Sequence, residues 1–288
     1  MKIILMQGLP ASGKSTRAKE LLQHGNTVRI NRDLLRTMLH CDKWSGRNEG
    51  VTKDASRHLA DYLLGKGLSV IIDDTNLNEG TIQSWRELAA HHKATLQYER
   101  MKTDVAECLD RDWKREKRVG AHVIMGMALQ HGLYPKPEKG IVLCDLDGTL
   151  CDIKHRLHFV KNLPEGQKKD WRSFFAGIAA DGLRQEVFDM VFKYHTDGHE
   201  VFFVSARPED HRKPTELWLQ GKAVGFHKAL FMRPARDTRE DTLVKAEMFD
   251  KYFKNLPVEA VIDDRPSVIR MWREKGLNVI DVGSGVEF

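Results

Sequence analysis

The chain has 288 residues, of which 30% are charged and 41% are hydrophobic, the balance of a soluble globular protein. That length suffices for two compact domains with separate cores. No apolar run approaches the length of a membrane span, and the opening Met1-Lys-Ile-Ile-Leu-Met is too short for a signal peptide. We therefore expect a cytoplasmic protein without a membrane partner. Its four cysteines show no metal-type spacing, so reduced thiols are expected at Cys41, Cys108, Cys144 and Cys151.

The formal net charge of +5 is unevenly shared. Residues 1–139 hold 23 Lys and Arg against 17 Asp and Glu, a net of +6, whereas residues 140–288 hold 23 against 24, a net of −1. A basic first half suits a polyanionic partner. Ordinary solvated lysines and arginines explain the same numbers, so charge only supports an assignment made on other grounds.

The first half alternates short β-branched runs with longer amphipathic segments, a pattern typical of α/β folds with parallel sheets. Strands are predicted at 2–7, 27–31, 68–73 and 94–101. Helices are predicted near 14–24, 50–66, 79–92 and 104–117.

A phosphate-binding loop follows the first predicted strand. The segment Gly8-Leu-Pro-Ala-Ser12-Gly13-Lys14-Ser15 matches the P-loop pattern G-x-x-x-x-G-K-[ST]. Backbone N–H groups and the positive end of the next helix would hold the phosphates of ATP, Lys14 would reach the β- and γ-phosphates, and Ser15 would ligate Mg²⁺. A glycine turn with an incidental lysine is the alternative. The candidate ATP-binding residues here are Gly8, Ser12, Gly13, Lys14, Ser15 and Thr16.

Charged residues follow the second and third predicted strands, where sheet ligands gather. Asp33 is a candidate to accept the proton of an attacking hydroxyl, and Arg36 is a candidate to bind an acceptor phosphate. Asp33 as the N-cap of the following helix is an equally weighted alternative. After the third strand, Asp74 is the preferred acceptor-site residue, with Asp73 as the alternative and Asn76 beside it.

The basic run 111–118 holds the candidate arginines of a lid over the ATP phosphates. Arg111 and Arg115, four residues apart on the helix predicted near 104–117, would share a face and clamp phosphates in the transition state. Arg118 is an alternative to Arg115. A solvated basic helix face is the commoner meaning of such a run.

Residues 133–140, with Pro135 and Pro137, are predicted to be a linker, which divides the chain into domains 1–134 and 135–288. The strand pattern then restarts, with strands predicted at 141–145, 200–205, 229–232, 258–263 and 278–282.

The first strand of the second half ends in Asp145-Leu-Asp147-Gly148-Thr149. A strand ending in D-x-D-G-T resembles the haloacid-dehalogenase-type phosphotransferases. The resemblance implies that Asp145 attacks phosphorus and that Asp147 protonates the leaving oxygen. It also implies that Ser205 and Lys245 bind the phosphate, although a capping serine and a surface lysine are the commoner roles. The implied Mg²⁺ ligands are Asp145, Asp147, Asp263 and Asp264.

The predicted fold is therefore α/β with two domains, a P-loop NTPase-type parallel sheet followed by a haloacid-dehalogenase-type Rossmann-like domain. Nearly the whole chain resembles the bacteriophage-type polynucleotide 5′-kinase/3′-phosphatases. The agreements include Gly-Lys-Ser, Asn31-Arg32-Asp33-x-x-Arg36, Asp74-Thr-Asn-Leu-Asn78, Asp237-Thr-Arg239 and Ile262-Asp-Asp-Arg265.

This resemblance implies roles for individual residues. Asp33 becomes the general base for a 5′-hydroxyl, Arg36 holds the acceptor's 3′-side phosphate and Arg115 the γ-phosphate. Arg156 and Arg207 bind the phosphatase substrate. The implied partners are ATP, DNA or RNA ends, a nucleic acid ligase and further copies of the chain in a homo-oligomer, in a host-cell cytoplasm if the chain is phage-encoded.

Some segments depart from that pattern. Residues 205–207 read Ser-Ala-Arg where Ser-Gly-Arg is expected, and residues 41–49 and 151–183 match poorly. Because these segments flank the substrate entrances, the preference for DNA or RNA stays open. Two rival functions also stay open, a small-molecule kinase fused to a small-molecule phosphatase and a non-catalytic protein that binds nucleic acid ends.

Overall fold

The computed structural model describes residues 1–22, 26–161, 163–164 and 166–285. It divides into two compact units, Met1–Tyr134 and Pro135–Phe288. Each unit contains a parallel sheet flanked by helices, so the predicted α/β class is confirmed. No helix in the described part of the chain is both long enough and apolar enough to cross a bilayer.

The first unit is built on a four-stranded parallel sheet of order β2-β3-β1-β4. The strands are β1 Lys2–Gln7, β2 Thr27–Ile30, β3 Ser69–Ile72 and β4 Thr95–Arg100, each within one residue of the predicted bounds. The helices are α1 Lys14–Leu22, α2 Arg32–His40, α3 Gly46–Gly65, α4 Glu79–His91, α5 Val105–Trp113 and α6 Ala121–Gln130. Residues 23 and 24, predicted to end the first helix, lie outside the described residues.

Apolar β-branched runs form the central strands because helices cover both faces of a parallel sheet. Ile3 and Leu5 of β1 pack with Val70 and Ile72 of β3 in one buried cluster. Because β1 lies between β3 and β4, the loops that leave the carboxyl ends of β1 and β3 are neighbours. The P-loop and Asp73-Asp74 are thereby brought to one edge of the sheet.

The prediction of one helix near 104–117 was wrong, because α5 ends at Trp113. The carboxylate of Asp112, which is buried, accepts the backbone N–H groups of Val119 at 3.1 Å and Gly120 at 2.9 Å. These bonds fold the basic run into a loop. The next helix, α6, was not predicted, since it begins after Gly120 with no side-chain N-cap that would signal its start.

The second unit is built on a five-stranded parallel sheet of order β11-β10-β5-β8-β9. Its strands are β5 Ile141–Cys144, β8 Glu200–Pro208, β9 Ala229–Arg233, β10 Val258–Asp263 and β11 Val279–Asp281, and a separate antiparallel pair joins β6 Cys151–Asp152 to β7 Gly182–Leu183. The helices are α7 Trp171–Ala176, α8 Gln185–Thr196, α9 Arg212–Gly221, α10 Asp241–Tyr252 and α11 Pro266–Glu274, with 3-10 turns at Lys154–Phe159, Ile178–Ala180 and Glu209–His211.

The central strand β5 is buried along its whole length and pairs with β10 on one side and β8 on the other. Strand β8 is longer than the predicted 200–205, because an irregularity after Ser205 is followed by renewed pairing of Pro208 with Arg233 of β9. Asp145 follows β5, Asp263 ends β10 and Arg207 lies near the end of β8. Three neighbouring strands thus deliver charged side chains to one sheet edge.

Candidate active sites

The P-loop joins β1 to α1, and its backbone is fixed by left-handed positions. Gly8 has φ of 153° and Gly13 has φ of 96°. A Cβ added to Gly8 would lie 2.7 Å from Oγ of Ser12 and 2.9 Å from Cβ of Met101, so any other residue would force a neighbour to move. The N–H of Gly8 donates to the carbonyl of Thr75 at 3.2 Å, which ties the loop to the chain after β3.

A cavity of about 360 Å³ adjoins the loop. Its lining includes the predicted residues Gly13, Lys14, Ser15, Thr16, Asp33, Arg36, Asp74 and Arg115. The lining does not include Gly8, Ser12, Asn76 or Arg111. The structure therefore gathers most of the predicted ATP and acceptor residues around one cleft, which we call the kinase cleft.

Lys14 is buried and folded back onto the loop. Its Nζ donates to the carbonyl of Leu9 at 2.6 Å and to that of Gly8 at 3.1 Å. Burial lowers the pKa of Lys14 to about 8, although the nearby carboxylate of Asp73 opposes the shift. An anionic phosphate at the loop would replace the carbonyls as the partner of this amine and favour its charged form.

Asp33 and Arg36 lie on α2 at the kinase cleft. The alternative role of Asp33 as N-cap was wrong, because α2 begins at Arg32 and Oδ1 of Asn31 accepts the N–H of Leu34 at 3.0 Å. The side chain of Asp33 is 82% exposed, and its Oδ1 lies 2.6 Å from Nη1 of Arg36.

The rest of the Arg36 guanidinium donates to Oε2 of Glu49 on α3, from Nε at 3.1 Å and from Nη2 at 2.8 Å. Glu49, which the sequence did not single out, thus orients Arg36. It also lies 3.6 Å from Arg32.

The two aspartates after β3 have different partners. Asp74 accepts the backbone N–H of Arg32 at 3.1 Å and its Nε at 2.7 Å, and burial raises the pKa of Asp74 despite this arginine. Asp73 is almost fully buried and pairs with Arg29 at 2.5 Å. Both aspartates line the kinase cleft, and Oδ1 of Asp73 has no hydrogen-bond partner among the described residues.

Asn76 performs a different task from the predicted acceptor binding. It is 2% exposed, and its amide nitrogen donates to the carbonyls of Met6 at 2.8 Å and Ile72 at 3.0 Å. These bonds join the ends of β1 and β3, so the donor group of Asn76 is already occupied.

The structure separates the three candidate lid arginines. Arg115 lies in the loop after α5 and lines the kinase cleft. Arg111 stays on α5, pairs with Glu107 and lies against Gly13, so the prediction that Arg111 and Arg115 share a helix face was wrong. The guanidinium of Arg118 covers the ring of Trp113 at 3.9 Å.

In the second unit, three carboxylates meet at the carboxyl edge of the sheet. Asp145, Asp263 and Asp264 each offer an oxygen within 4.8 Å of the others. The Nζ of Lys245 on α10 lies 2.9 Å from Oδ1 of Asp145 and 2.8 Å from Oδ2 of Asp263. One buried ammonium thus faces three buried carboxylates.

That imbalance of charge fits a divalent cation. Burial raises the pKa of Asp145 to about 8 and that of Asp264 to about 6, and the neighbouring carboxylates add to both shifts. Hard oxygen donors with excess negative charge are the set that Mg²⁺ prefers. Asp145, Asp263 and Asp264 are therefore the residues of this unit that fit the ion.

Gly148 and Thr149 hold Asp264 in this cluster. The hydroxyl of Thr149 donates to Oδ1 of Asp264 at 2.8 Å. Gly148 has φ of 82°, and a Cβ there would lie 2.1 Å from Oδ2 of Asp264. The Gly-Thr pair of the motif is thus required for the close approach of an acidic side chain.

The predicted metal ligand Asp147 faces away from the acidic cluster. Its carboxylate accepts hydrogen bonds from Arg156 at 2.5 Å and from Arg207 at 2.5 to 3.0 Å. Burial would raise the pKa of Asp147, but the two guanidinium groups outweigh it and hold that pKa well below its usual range. The structure therefore places its carboxylate with the arginines rather than with Asp145.

Both arginines also bind Asp181, a residue that sequence reasoning missed. Nε of Arg156 lies 2.6 Å from Oδ1 of Asp181, and Nη2 of Arg207 lies 2.8 Å from Oδ2. The three side chains are fully buried. Asp181 lies in the poorly matching segment 151–183, and an isolated aspartate there gave no signal of its two partners.

A cavity of about 480 Å³, which we call the phosphatase cleft, opens beside these groups. Its lining contains the predicted residues Asp145, Asp147, Ser205, Arg207 and Lys245. Arg156 is not part of the lining, since its guanidinium packs over the ring of Phe174 at 4.1 Å behind Asp147. Arg156 thus contacts the other charged groups rather than the cleft.

Sequence comparison decides the family. Residues 139–287, more than half of the chain, match the family model described as the polynucleotide kinase PNKP phosphatase domain. The chain belongs to this family. The resemblance to polynucleotide kinase/phosphatases is thereby confirmed. Residues 3–132 match a model described as an AAA domain.

The individual relatives share less than a third of their aligned residues with this chain. The chain is 29% identical over 301 residues to a putative bifunctional polynucleotide kinase/RNA ligase of Autographa californica nuclear polyhedrosis virus. The alignment covers 95% of the chain but only 41% of the viral protein. A solved chain of a Pnkp1/Rnl/Hen1 RNA repair complex is 25% identical with a TM-score of 0.43, covering 99% of this chain and 96% of that one.

Proposed function

We propose that the chain is a bifunctional nucleic acid end-healing enzyme. It transfers the γ-phosphate of ATP to a 5′-hydroxyl end and removes a 3′-phosphate through an aspartyl-phosphate intermediate. The observation that carries this proposal is the cluster of Asp145, Lys245, Asp263 and Asp264 in a unit of the polynucleotide kinase phosphatase family. The kinase cleft in the other unit contains the P-loop residues that would bind ATP.

The kinase step is assigned to the acceptor side of the kinase cleft. Asp33 accepts the proton of the 5′-hydroxyl while the hydroxyl oxygen attacks the γ-phosphorus. The bond between the γ-phosphorus and the bridging β-phosphate oxygen of ATP then breaks. Lys14 and Arg115 bind the phosphate oxygens on which charge develops. Arg36, oriented by Glu49, holds the acceptor's phosphate, and Ser15 is the residue of this unit that would hold Mg²⁺.

The phosphatase step is assigned to Asp145. Its carboxylate oxygen attacks phosphorus, the bond to the 3′-oxygen breaks, and Asp147 protonates that oxygen. Water then attacks phosphorus as Asp147 takes its proton, which returns Asp145 to the carboxylate and releases inorganic phosphate. Mg²⁺ held by Asp145, Asp263 and Asp264 would offset the charge between carboxylate and phosphate.

The pairing of Asp147 with arginine has a consequence for this step. The guanidinium groups of Arg207 and Arg156 hold the pKa of Asp147 well below its usual range and so favour its ionised form. A phosphate dianion in the phosphatase cleft competes for the guanidinium of Arg207, which lines that cleft. Loss of a hydrogen bond from Arg207 to that phosphate would favour the protonated form of Asp147, which the proposed step requires.

Healed ends would be substrates for a nucleic acid ligase. The name of the viral relative joins a polynucleotide kinase to an RNA ligase, which supports RNA ends as substrates of this chain and a ligase as its functional partner. DNA ends and a homo-oligomeric state stay predictions.

The test uses one oligonucleotide with a 5′-hydroxyl and a 3′-phosphate, incubated with labelled ATP and Mg²⁺. Both ends are followed for the wild type, Asp33→Ala and Asp145→Ala. The wild type should alter both ends, Asp33→Ala should lose only 5′-phosphorylation, and Asp145→Ala should lose only 3′-phosphate release. Asp54→Ala and Asp189→Ala remove exposed carboxylates outside both clefts and serve as matched controls.

An unchanged oligonucleotide, with turnover of small phosphate esters or of ATP alone, would refute the polynucleotide assignment and favour the small-molecule alternative. End binding without turnover at either end would favour the non-catalytic alternative. A steep loss of activity with added salt would instead support a polymer substrate, because counterion release makes such binding salt-sensitive.

A further inference from the structure

One side of the phosphatase cleft carries a row of stacked rings, which we call the aromatic row: Trp171, Phe175 and His211. Trp171 and Phe175 of α7 stack with centroids 5.9 Å apart and planes inclined by 22°. Phe175 stacks in turn on His211 of the turn before α9, at 4.7 Å and 26°. All three rings line the cavity that also contains Asp145 and Asp147.

Trp171, the first ring of this row, is not part of the hydrophobic core. Phe174, the neighbour of Trp171, is 2% exposed and belongs to the core cluster of the unit. Trp171 is 44% exposed and does not belong to that cluster. Trp is enriched at binding surfaces because its large apolar ring also carries a polar N–H group.

The same cleft also carries exposed positive charge. Arg172 and Arg236 line it, both are exposed, and neither forms an ion pair with another residue that the structure describes. Arg207 and Arg233, by contrast, are buried and hydrogen-bonded. The cleft therefore offers flat apolar rings and uncommitted guanidinium groups within one cavity of about 480 Å³.

We infer that the aromatic row is the subsite for the base of the 3′-terminal nucleotide, with Trp171 stacked on that base. Arg172 and Arg236 bind the phosphodiester groups that precede it. This inference rests on the proposed 3′-phosphatase function and adds what the site recognises beyond the phosphate.

The chemistry of the row predicts its specificity. Every nucleobase has a π-face, so stacking on Trp171 selects for the presence of a base and hardly for its identity. Burial lowers the pKa of His211, which favours the neutral form of its ring, although Asp210 opposes the shift. A 3′-end without a base should therefore bind weakly, as should a small phosphate ester.

The test compares two oligonucleotides that carry a 3′-phosphate and differ only in the last nucleotide. One has an ordinary base there and the other has a tetrahydrofuran abasic residue. Steady-state kcat and KM for phosphate release are measured for the wild type, Trp171→Ala and the conservative Trp171→Phe. Leu217→Ala is the matched control, because Leu217 is an exposed apolar residue of the same unit outside this cleft.

For the base-bearing oligonucleotide, Trp171→Ala should raise KM about tenfold with little change in kcat, within the range of base–aromatic stacking. The KM for the abasic oligonucleotide should not change, and Trp171→Phe and Leu217→Ala should resemble the wild type. A KM that rises equally for both oligonucleotides, or for neither, overturns the base subsite while the proposed phosphatase stands. A wild type that releases phosphate from neither oligonucleotide overturns both.

Discussion

The guanidinium of Arg207 donates three hydrogen bonds to the carboxylate of Asp147, at 2.5 to 3.0 Å. Both residues line the phosphatase cleft, and the side chain of Arg207 is buried. This pairing favours the ionised form of Asp147, the candidate proton donor. It also makes Arg207 important both for folding and for turnover.

Arg207→Gln should lower the free energy of unfolding by about 3–5 kcal/mol, because it leaves the carboxylates of Asp147 and Asp181 short of a buried partner. Release of 3′-phosphate should fall by at least about 100-fold. Urea denaturation and phosphate release measure the two effects. Arg270→Gln, at an exposed arginine, should change neither, and wild-type stability of Arg207→Gln would show that the buried pairs contribute nothing.

Asp181→Asn tests positioning rather than chemistry. The asparagine side chain would retain the shape of Asp181 but not its negative charge. Arg156 and Arg207 should then interact more strongly with the carboxylate of Asp147. We expect kcat for 3′-phosphate release to fall about tenfold or more, with a shift in its pH profile that a purely structural role would not produce. Kinase activity should not change. An unaltered pH profile with normal kcat would rule out this positioning role.

Gly148→Ala should abolish the phosphatase, since the new Cβ would lie 2.1 Å from Oδ2 of Asp264 and φ at this position is 82°. Strain of about 1–3 kcal/mol is expected from the backbone conformation alone. Gly276→Ala is the matched control, because Gly276 has φ of 77° but open space around its Cβ position. Equal loss of stability with retained phosphatase activity in both variants would show that the contact with Asp264 is unimportant.

Binding of ATP should take up a proton above about pH 8. In the free protein the pKa of Lys14 is lowered to about 8 by burial, whereas bound phosphate favours the ammonium form. Affinity should therefore be constant below pH 8 and fall as pH rises, by at most about tenfold per pH unit. Calorimetry at pH 9 in two buffers of different ionisation enthalpy should detect the uptake, and Lys14→Arg should abolish it.

Whereas ATP affinity should fall as pH rises, the contribution of Lys14 to folding stability should increase. Its ordinary pKa of 10.5 applies to the unfolded chain, so the unfolded state binds more protons than the folded state between about pH 8 and 10.5. The contribution of Lys14 to the free energy of unfolding should thus increase with pH across that window. Equal proton uptake on ATP binding by the wild type and Lys14→Arg would contradict the binding prediction, and a pH-independent difference in the free energy of unfolding between them would contradict the folding prediction.

Arg115 and Arg118 can be distinguished by kinase kinetics. Arg115 lines the kinase cleft, whereas the Arg118 guanidinium lies over Trp113. Arg115→Ala should lower kcat for 5′-phosphorylation by about 100-fold or more, as expected for a group that stabilises transition-state charge. Arg118→Ala should stay within a few-fold of the wild type. The reverse order would assign the lid to Arg118.

The sequence alone determined the features that depend on residues close together along the chain. The P-loop, the Asp145-x-Asp147-Gly-Thr segment and the acidic pair at Asp263 are short motifs attached to strands whose apolar runs set their bounds within a few residues. Because the carboxyl ends of adjacent parallel strands meet, the motifs also indicated which residues would gather at each sheet edge.

Only the tertiary structure decided which charged groups became partners. Asp181 meets Arg156 and Arg207 across 25 and 26 residues, and Arg207 meets Asp147 across 60. Near the end of α5, Asp112 accepts two backbone N–H groups of the next loop. Side chains with several donors or acceptors have many possible partners in an extended chain, and burial selects among them only once the fold has brought those partners within hydrogen-bonding distance.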